Sequence, residues 1–451
     1  MLKPVKYRVK DDVAIVTLAS PPMNVLTHDV RLSLADVIDR ISQRQDVKAV
    51  ALFGEGKAFS AGLDVREHET AEAAPTVADI CDKLENLPVP VVVGIHGQTF
   101  SGGVALALAG HYRLAEAGAT MAFPEVRLAI VPNAGVTQRL PRIIGARTSV
   151  AMLAEGRAID VEAARKFGLI DGVVNGSVGV AAIQFCQQLI SQKVPPRPTR
   201  TTTKGLADST GFLDQVGAAR DGANLSKAAT RIIDCIEASI LLPFDVGQVF
   251  EQEAFADLQA DPMAKAQRYF YVAERRVPPW LIGRGENGRR EIMEGRGKDA
   301  ADRLRSAFQA ALQFLIESGV PEDKIDAALV GFGFAKPVFG TPASEIHSKV
   351  AALVQRRVVG ALMAEGARLI EDRFVQRASD VDVLAVLALG FPRGRGGPMY
   401  AAQRAGLDRF WLDLNDWVED DAVWSAGPVV VEAVKSPTGF DAVRPPAVSA
   451  G

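Results

Sequence analysis

The sequence predicts an α/β fold with a parallel sheet over residues 1 to about 190, followed by helix-rich chain. Three observations carry this. β-rich runs alternate with helical periodicity in the first part, which is the pattern of β-α-β units. A glycine loop, Gly97 to Gly103, turns a buried strand-like run into an Ala-rich run. From residue 225 to 276 the text reads as helix.

Taken in order, VAIVTLAS (Val13 to Ser20) is a β-rich run stopped by Pro21-Pro22, and predicts a first strand. Leu34, Val37, Ile38 and Ile41 recur at helical spacing. VKAVALFGEG (Val47 to Gly56) is a second strand ending in a glycine loop. PVPVVVGIHG (Pro88 to Gly97) is a buried strand that feeds GQTFSGG, where Gly102-Gly103 opens an apolar helix carrying Leu106 and Leu108. A Gly-Gly pair in such a turn presents a backbone N–H at a helix N-terminus, where carbonyl or oxyanion charge is stabilised. One carboxylate, Glu125, follows about twenty residues on, in FPEVRLAIVP. Asp160 is a predicted N-cap in AIDVEAARKFGLIDGVV (Ala158 to Val174). VPPRPTRTTTKG, within Gln192 to Ser209, is rich in Pro, Thr and basic residues and reads as a solvated connector.

Composition narrows the function classes. With 451 residues, 48% hydrophobic and 23% charged, the chain has material for two or three globular domains. A formal net charge of -3 gives no general polyanion-binding surface, so nucleic acid is not expected as a partner. Cys81, Cys186 and Cys235 are far apart and lack metal-ligand spacing, so they read as buried thiols in a reducing compartment, and no metal is expected. No run reaches the ~18 apolar residues of a membrane span. The N-terminus MLKPVKYRVKDD lacks an apolar signal core. A soluble cytoplasmic protein is the expectation.

SGGVALALAGHYRLA, FPEVRLAIVP and TQRLPRIIGA, recurring in this order, resemble the crotonase superfamily, the enoyl-CoA hydratase and isomerase group. GKAFSAGLDV (Gly56 to Val65) resembles its first oxyanion segment. The resemblance implies a spiral of β-β-α units and an oxyanion hole made by the backbone N–H groups of Leu63 and Gly102. It also implies a catalytic Glu125, with the backbone of Ala61 near the adenine of coenzyme A. Lys57 and Arg66 flank the first oxyanion motif and are the candidates for the CoA phosphates. Hydratases of the superfamily use two glutamates, and the first of those positions is Ala105 here, whose methyl cannot hold or deprotonate water. Asn133 and Val136 stand where glycines are usual. His96 and His111 read as structural, and His68 could border the acyl or CoA tunnel.

Through its segments Leu241 to Arg276, Lys324 to Gly340 and Ala378 to Ala402, the later text resembles a larger family, the multifunctional enzyme type 1 of peroxisomes and the α chain of the bacterial fatty-acid oxidation complex. LLPFDVGQVFEQEAFADLQADPMAKAQRYFYVAERR resembles its linker helix. KIDAALVGFGFAKPVFG (Lys324 to Gly340) and ASDVDVLAVLALGFPRGRGGPMYAA (Ala378 to Ala402) resemble its two helical domains of the 3-hydroxyacyl-CoA dehydrogenase C-terminal type. The implied organisation is a crotonase-like domain at 1–190, a linker and linker helix at 191–285, and helical domains at 286–345 and 346–451. The NAD-binding domain is missing from this succession. Gly283 to Gly288 spells GxGxxG, but PPWLI before it and RREIMEGRGKD after it fit a loop and not a dinucleotide turn. The histidine base of the dehydrogenase has no counterpart, since the only histidine after residue 111 is His347. No NAD and no dehydrogenase activity are expected, and coenzyme A enters only as part of the substrate.

Loss of the first glutamate with retention of the second is the pattern of some Δ3,Δ2-enoyl-CoA isomerases, so that activity is the leading expectation. The alternatives are enoyl-CoA hydration, with Glu125 helped by another group, and a non-catalytic acyl-CoA-binding or scaffold role. A monomer is expected, because multifunctional chains cover the trimer surface of free-standing crotonases with their own linker helix. Association with other fatty-acid oxidation proteins is compatible with that resemblance.

Overall fold

The computed structural model describes residues 3–63, 72–222, 225–285, 288–342 and 344–445. It divides into two compact units, Met1–Asp261 and Pro262–Gly451.

The first unit is built on strands β1 (Val5–Lys10), β2 (Val13–Leu18), β3 (Ala49–Gly54), β4 (Val91–Ile95), β5 (Gln98–Phe100), β6 (Tyr112–Glu116), β7 (Thr120–Ala122), β8 (Ile159–Asp160) and β9 (Gly172–Val174). The main sheet has the order β1-β2-β3-β4-β6-β9. Its β1 is antiparallel to β2, with Val5 opposite Leu18, and the remaining pairs are parallel. β2 and β4 are buried along their whole length, which is why they read as unbroken apolar runs; β1, at the edge, is buried only at Val5. A smaller sheet, β5-β7-β8, lies where the chain leaves β4.

Helices α1 (His28–Ser42), α2 (Val77–Glu85), α3 (Gly102–Ala109), α4 (Val136–Leu153), α5 (Val161–Phe167) and α6 (Val178–Ser191) alternate with the strands. The spacing in α1 puts Leu34, Val37, Ile38 and Ile41 on its buried face, as predicted. α2 starts with a capping box between Thr76 and Asp79. Asp160 accepts from the Ala163 N–H at 2.8 Å and is the expected cap of α5. α6 lays Val178, Ala182, Cys186 and Leu189 on the sheet, against Ala49, Ala51 and Val92. This α/β arrangement is the parallel-sheet architecture that the sequence predicts.

The unit continues through α7 (Ser209–Arg220), α8 (Lys227–Leu241) and α9 (Phe244–Ala260). The boundaries expected at 190, 285 and 345 are finer than the two-unit division, and residues 192–261 belong to the first unit. The proline- and threonine-rich stretch is docked at two points and not solvated throughout. Buried Thr199 donates its hydroxyl to the Leu108 carbonyl at 2.7 Å, and the Arg200 guanidinium meets Glu85 and Asp82, each at 2.9 Å. Neither anchor has a pattern visible in composition alone.

The second unit contains α10 (Pro262–Arg276), a hairpin of β10 (Ile282–Arg284) and β11 (Arg290–Ile292), then α11 (Arg296–Glu317), α12 (Glu322–Phe332), α13 (Ser348–Glu371), α14 (Ala378–Leu389), α15 (Pro398–Ala405), α16 (Leu407–Trp417) and α17 (Pro428–Lys435). One apolar core runs through it, with Val354, Val358, Leu362 and Ile370 of α13 among its buried members. The GxGxxG stretch sits at the turn of an antiparallel hairpin, where the Gly285 N–H donates to the Arg289 carbonyl at 2.8 Å; Glu286 and Asn287 lie outside the described residues. His347 caps α13, its Nδ1 accepting from the Lys349 N–H at 3.3 Å. Cys81, Cys186 and Cys235 are free and buried, as expected. Among the described residues no helix is long and apolar enough to cross a membrane.

Candidate active site

The site is assembled where two loops press together. The segment Ser60–Leu63 follows β3, and Phe100–Gly103 joins β5 to α3. The Phe100 N–H donates to the Ser60 carbonyl at 3.1 Å, and the Leu26 N–H to the Gly62 carbonyl at 2.9 Å. The fit leaves no room for side chains. A Cβ on Gly103 would lie 2.3 Å from the Ser60 carbonyl oxygen, and one on Gly62 would lie 2.8 Å from the Gly102 nitrogen. Gly62 also has φ +78°, a conformation that glycine adopts without a steric cost. The approach brings Gly62 against Gly102, the first residue of α3, and Leu63 follows Gly62 directly. A first-turn N–H has no partner within its own helix and sits at the positive end of the helix dipole. Ser101, just before it, is held at φ 51° and ψ -124°, which is strained for a residue with a side chain.

The carboxylate arrives from the smaller sheet. β5 and β7 pair in parallel with Phe100 opposite Ala122, and the Ser101 N–H donates to the Ala122 carbonyl at 3.0 Å. Three residues on, Glu125 stands in the 3₁₀ turn Pro124–Leu128, 4% exposed. Burial pushes its carboxyl up to about 7, and the Ser101 hydroxyl works in the opposite direction by favouring the ionised form. Its Oε2 has no hydrogen-bond partner among the described residues. A buried carboxyl with one unpartnered oxygen, next to the Ser101 side chain, can take up and return a proton near neutral pH.

Ala105 lies on α3 one turn after Ser101, to whose carbonyl its N–H donates at 3.0 Å, and it is buried. Ala61 donates its N–H to the Met23 carbonyl at 2.9 Å. Lys57 is exposed, and its carbonyl packs against Gly97 of the Gly97–Gly103 loop. Arg66 and His68 lie outside the described residues. His111 is buried, with Nδ1 accepting from the Val91 N–H at 3.0 Å and Nε2 at 3.0 Å from the Glu85 carbonyl, so it is a packed histidine. His96 has a buried Nδ1 without a partner among the described residues. No group of three His, Cys, Asp or Glu side chains among the described residues is arranged to hold a metal.

The TQRLPR motif has a structural meaning that its spacing hid. Thr137 and Gln138 bind α9 and α8: the Thr137 hydroxyl donates to Glu251 at 2.6 Å, and Gln138 Nε2 to the Cys235 carbonyl at 3.0 Å. Arg139 is buried in an ion-pair cluster with Glu85 at 2.8 Å and Asp82 at 2.9 Å, and Phe244 of α9 lies under its guanidinium. Arg139 holds Glu85 below the usual carboxylate range despite the burial that opposes this. Glu251 is the residue that sequence reasoning missed. It is fully buried, accepts from the Gly135 and Thr137 N–H groups at 2.6 and 2.8 Å, and so caps α4 from a helix more than a hundred residues away. Burial pushes it up to about 7, and its charge adds to the raising of Glu125. The available signal was its place in the series Gly247, Gln248, Glu251, Ala254 and Leu258, the buried face of α9.

The candidate site therefore combines a glycine-closed turn, a helix start at Gly102 and one buried carboxyl, Glu125. Residues 8–210 match the family model of enoyl-CoA hydratase/isomerase. Among curated proteins, the peroxisomal bifunctional enzyme of Cavia porcellus is 31% identical over 285 residues, covering 62% of this chain and 39% of that protein. The Homo sapiens protein of the same name is 29% identical over 284 residues, with 62% and 39% covered. The chain thus spans 39% of the length of these relatives. Among solved structures, an enoyl-CoA hydratase/isomerase from Pseudoalteromonas atlantica T6c is 21% identical, covering 61% of this chain and 99% of that one, with a TM-score of 0.47.

Proposed function

We propose that the first unit is a Δ3,Δ2-enoyl-CoA isomerase in which Glu125 is the sole acid and base. The observation that supports it is the buried Glu125 oxygen without a partner, together with a methyl group at Ala105 where a second carboxylate would stand. In this reading the Glu125 carboxylate removes a proton from C2 of a 3-enoyl-CoA, and the electron pair moves onto the thioester oxygen. The Leu63 and Gly102 N–H groups stabilise the resulting dienolate. The Glu125 carboxylic acid then returns the proton at C4, which places the double bond between C2 and C3. Atoms and charge balance with no oxidant, and no cofactor is required beyond the coenzyme A of the substrate.

Glu251 does not replace the missing glutamate in this scheme. Both of its oxygens are taken by Gly135 and Thr137, which leaves neither to orient a water. The CoA phosphates are assigned to Lys57 and Arg66 and the adenine to the backbone of Ala61. The protein is read as a cytoplasmic monomer; its three buried free thiols fit a reducing compartment.

The test is purified protein assayed separately with a 3-enoyl-CoA and a 2-enoyl-CoA. Double-bond migration is expected, with negligible hydration. Glu125→Gln should lower migration by about 10²–10⁴-fold. Because the base must be ionised, the rate should rise with pH through about 7 and level off above it. Migration that survives in Glu125→Gln sinks the assignment, and hydration in excess of migration moves the reading to a hydratase.

A further inference from the structure

We propose that the first unit carries a second ligand site, for a small phosphate-bearing anion, in the cavity between the start of β6, the end of α5 and residues 197–204. The proposal is independent of the role given to Glu125. The cavity measures about 510 Å³, and Arg113, Arg165, Arg197 and Lys204 line it against one carboxylate, Asp171. This local excess of positive charge is hidden in a chain whose net charge is -3.

Arg113 and Arg165 are held in place by backbone carbonyls, and only Arg197 is paired with a carboxylate, so most of the positive charge is not cancelled. Arg113 is buried; its Nε donates to the Leu169 carbonyl and its Nη1 to the Gly110 carbonyl, both at 2.7 Å. Its Nη2 makes no hydrogen bond to a described residue. Burial lowers Arg113 to about 10, which still leaves it charged at neutral pH. Arg165 donates to the Asp171 backbone carbonyl at 2.6 Å. Asp171 uses one oxygen on the Arg113 N–H at 2.8 Å and the other on Arg197 Nη2 at 2.7 Å, so the single carboxylate orients the basic residues. Arg197 also lies over the Tyr112 ring at 4.6 Å. Lys204 has no ion-pair or hydrogen-bond partner among the described residues, and its Nζ lies 2.7 Å from where a Cβ on Gly168 would stand.

Unbalanced cations around a concave surface focus positive potential. Planar guanidinium groups match the paired oxygens of phosphate. The volume suits a ligand of small-molecule size. The cavity is also separate from Glu125. Arg113 rests on carbonyls at the C-terminal end of α3, whereas Gly102 is its first residue, and eight residues of helix rise about 12 Å.

The experiment is calorimetric titration of the full chain with inorganic pyrophosphate at low salt, repeated with ADP and with Arg165→Gln/Lys204→Gln and Lys57→Gln. Arg165 and Lys204 are exposed, so the double variant is expected to fold. Saturable binding of pyrophosphate is expected, weakened at least about tenfold by the double variant and unchanged by Lys57→Gln. Added salt should weaken it. ADP binding more tightly than pyrophosphate, with the gain lost in the double variant and kept in Lys57→Gln, would assign a nucleotide to this cavity, and equal binding would assign free phosphate chemistry. No binding by the wild-type chain, equal binding by the double variant, or loss confined to Lys57→Gln would overturn the proposal.

Discussion

Glu125 in the first unit and Asp382 in the second are both buried carboxyls pushed up by burial, to about 7 and about 8. Their surroundings differ. Asp382 accepts from the Tyr269 hydroxyl at 2.6 Å and from the Met399 and Tyr400 N–H groups at 2.7 and 3.3 Å, so it ties α10 to the start of α15. Glu125 keeps an oxygen that no described residue uses. A raised carboxyl is therefore a measure of burial and not of reactivity. What distinguishes a candidate base is the capacity left after its neighbours are counted. Glu251 makes the point within the first unit: it lies near Glu125, titrates in the same range, and is spent on capping α4.

The largest effect should come from breaking the most fully engaged group. Glu251→Leu leaves the Gly135 N–H, the Thr137 N–H and the Thr137 hydroxyl without an acceptor in a buried place, and should destabilise the first unit by about 3 kcal/mol. Urea unfolding followed by far-ultraviolet circular dichroism measures this. A Glu251→Leu chain as stable as wild type would mean that the cap is not what holds α9 to α4. Asp382→Asn keeps an acceptor for one N–H and should cost less, about 1–2 kcal/mol. All four tryptophans, Trp280, Trp411, Trp417 and Trp424, lie in the second unit, so tryptophan fluorescence reads this change. An unaltered fluorescence transition would remove Asp382 from the comparison.

The parts that the sequence made legible are those written in adjacent residues. Alternation and glycine turns gave β2, β3, β4 and the α3 turn, because buried parallel strands are continuous apolar runs and a helix start needs small residues where backbones touch. The close approach of Ser60 to Gly103 was not readable from either segment alone, since the two are far apart in sequence. Arg200 and the basic cavity were not readable at all, and of Glu251 only its place on the buried face of α9 was. Each depends on chain segments that converge over long separations, such as Glu251 with Thr137 and Arg200 with Glu85, and no local pattern specifies such a meeting. The Ser101 strain likewise has no signal in composition, because the same SGG text is compatible with an unstrained turn.

The smallest effect sharpens the comparison most, because its sign differs. Glu125 has a folded value near 7 against an ordinary 4.5, so the folded chain binds more protons than the unfolded chain between these limits. Its contribution to stability is fully present below pH 4.5 and is lost as pH rises through 7. Glu125→Gln removes that loss but leaves an amide that is itself incompletely satisfied. The net expectation is a gain on the order of 1 kcal/mol at pH 8 and little change at pH 4.5. Urea unfolding of both chains at the two pH values measures it. A Glu125→Gln chain that loses stability at pH 8, as Glu251→Leu should, would show that the free oxygen of Glu125 has a structural partner after all. A chain that gains stability while losing activity would mark Glu125 as a group kept in an unfavourable environment for its chemistry.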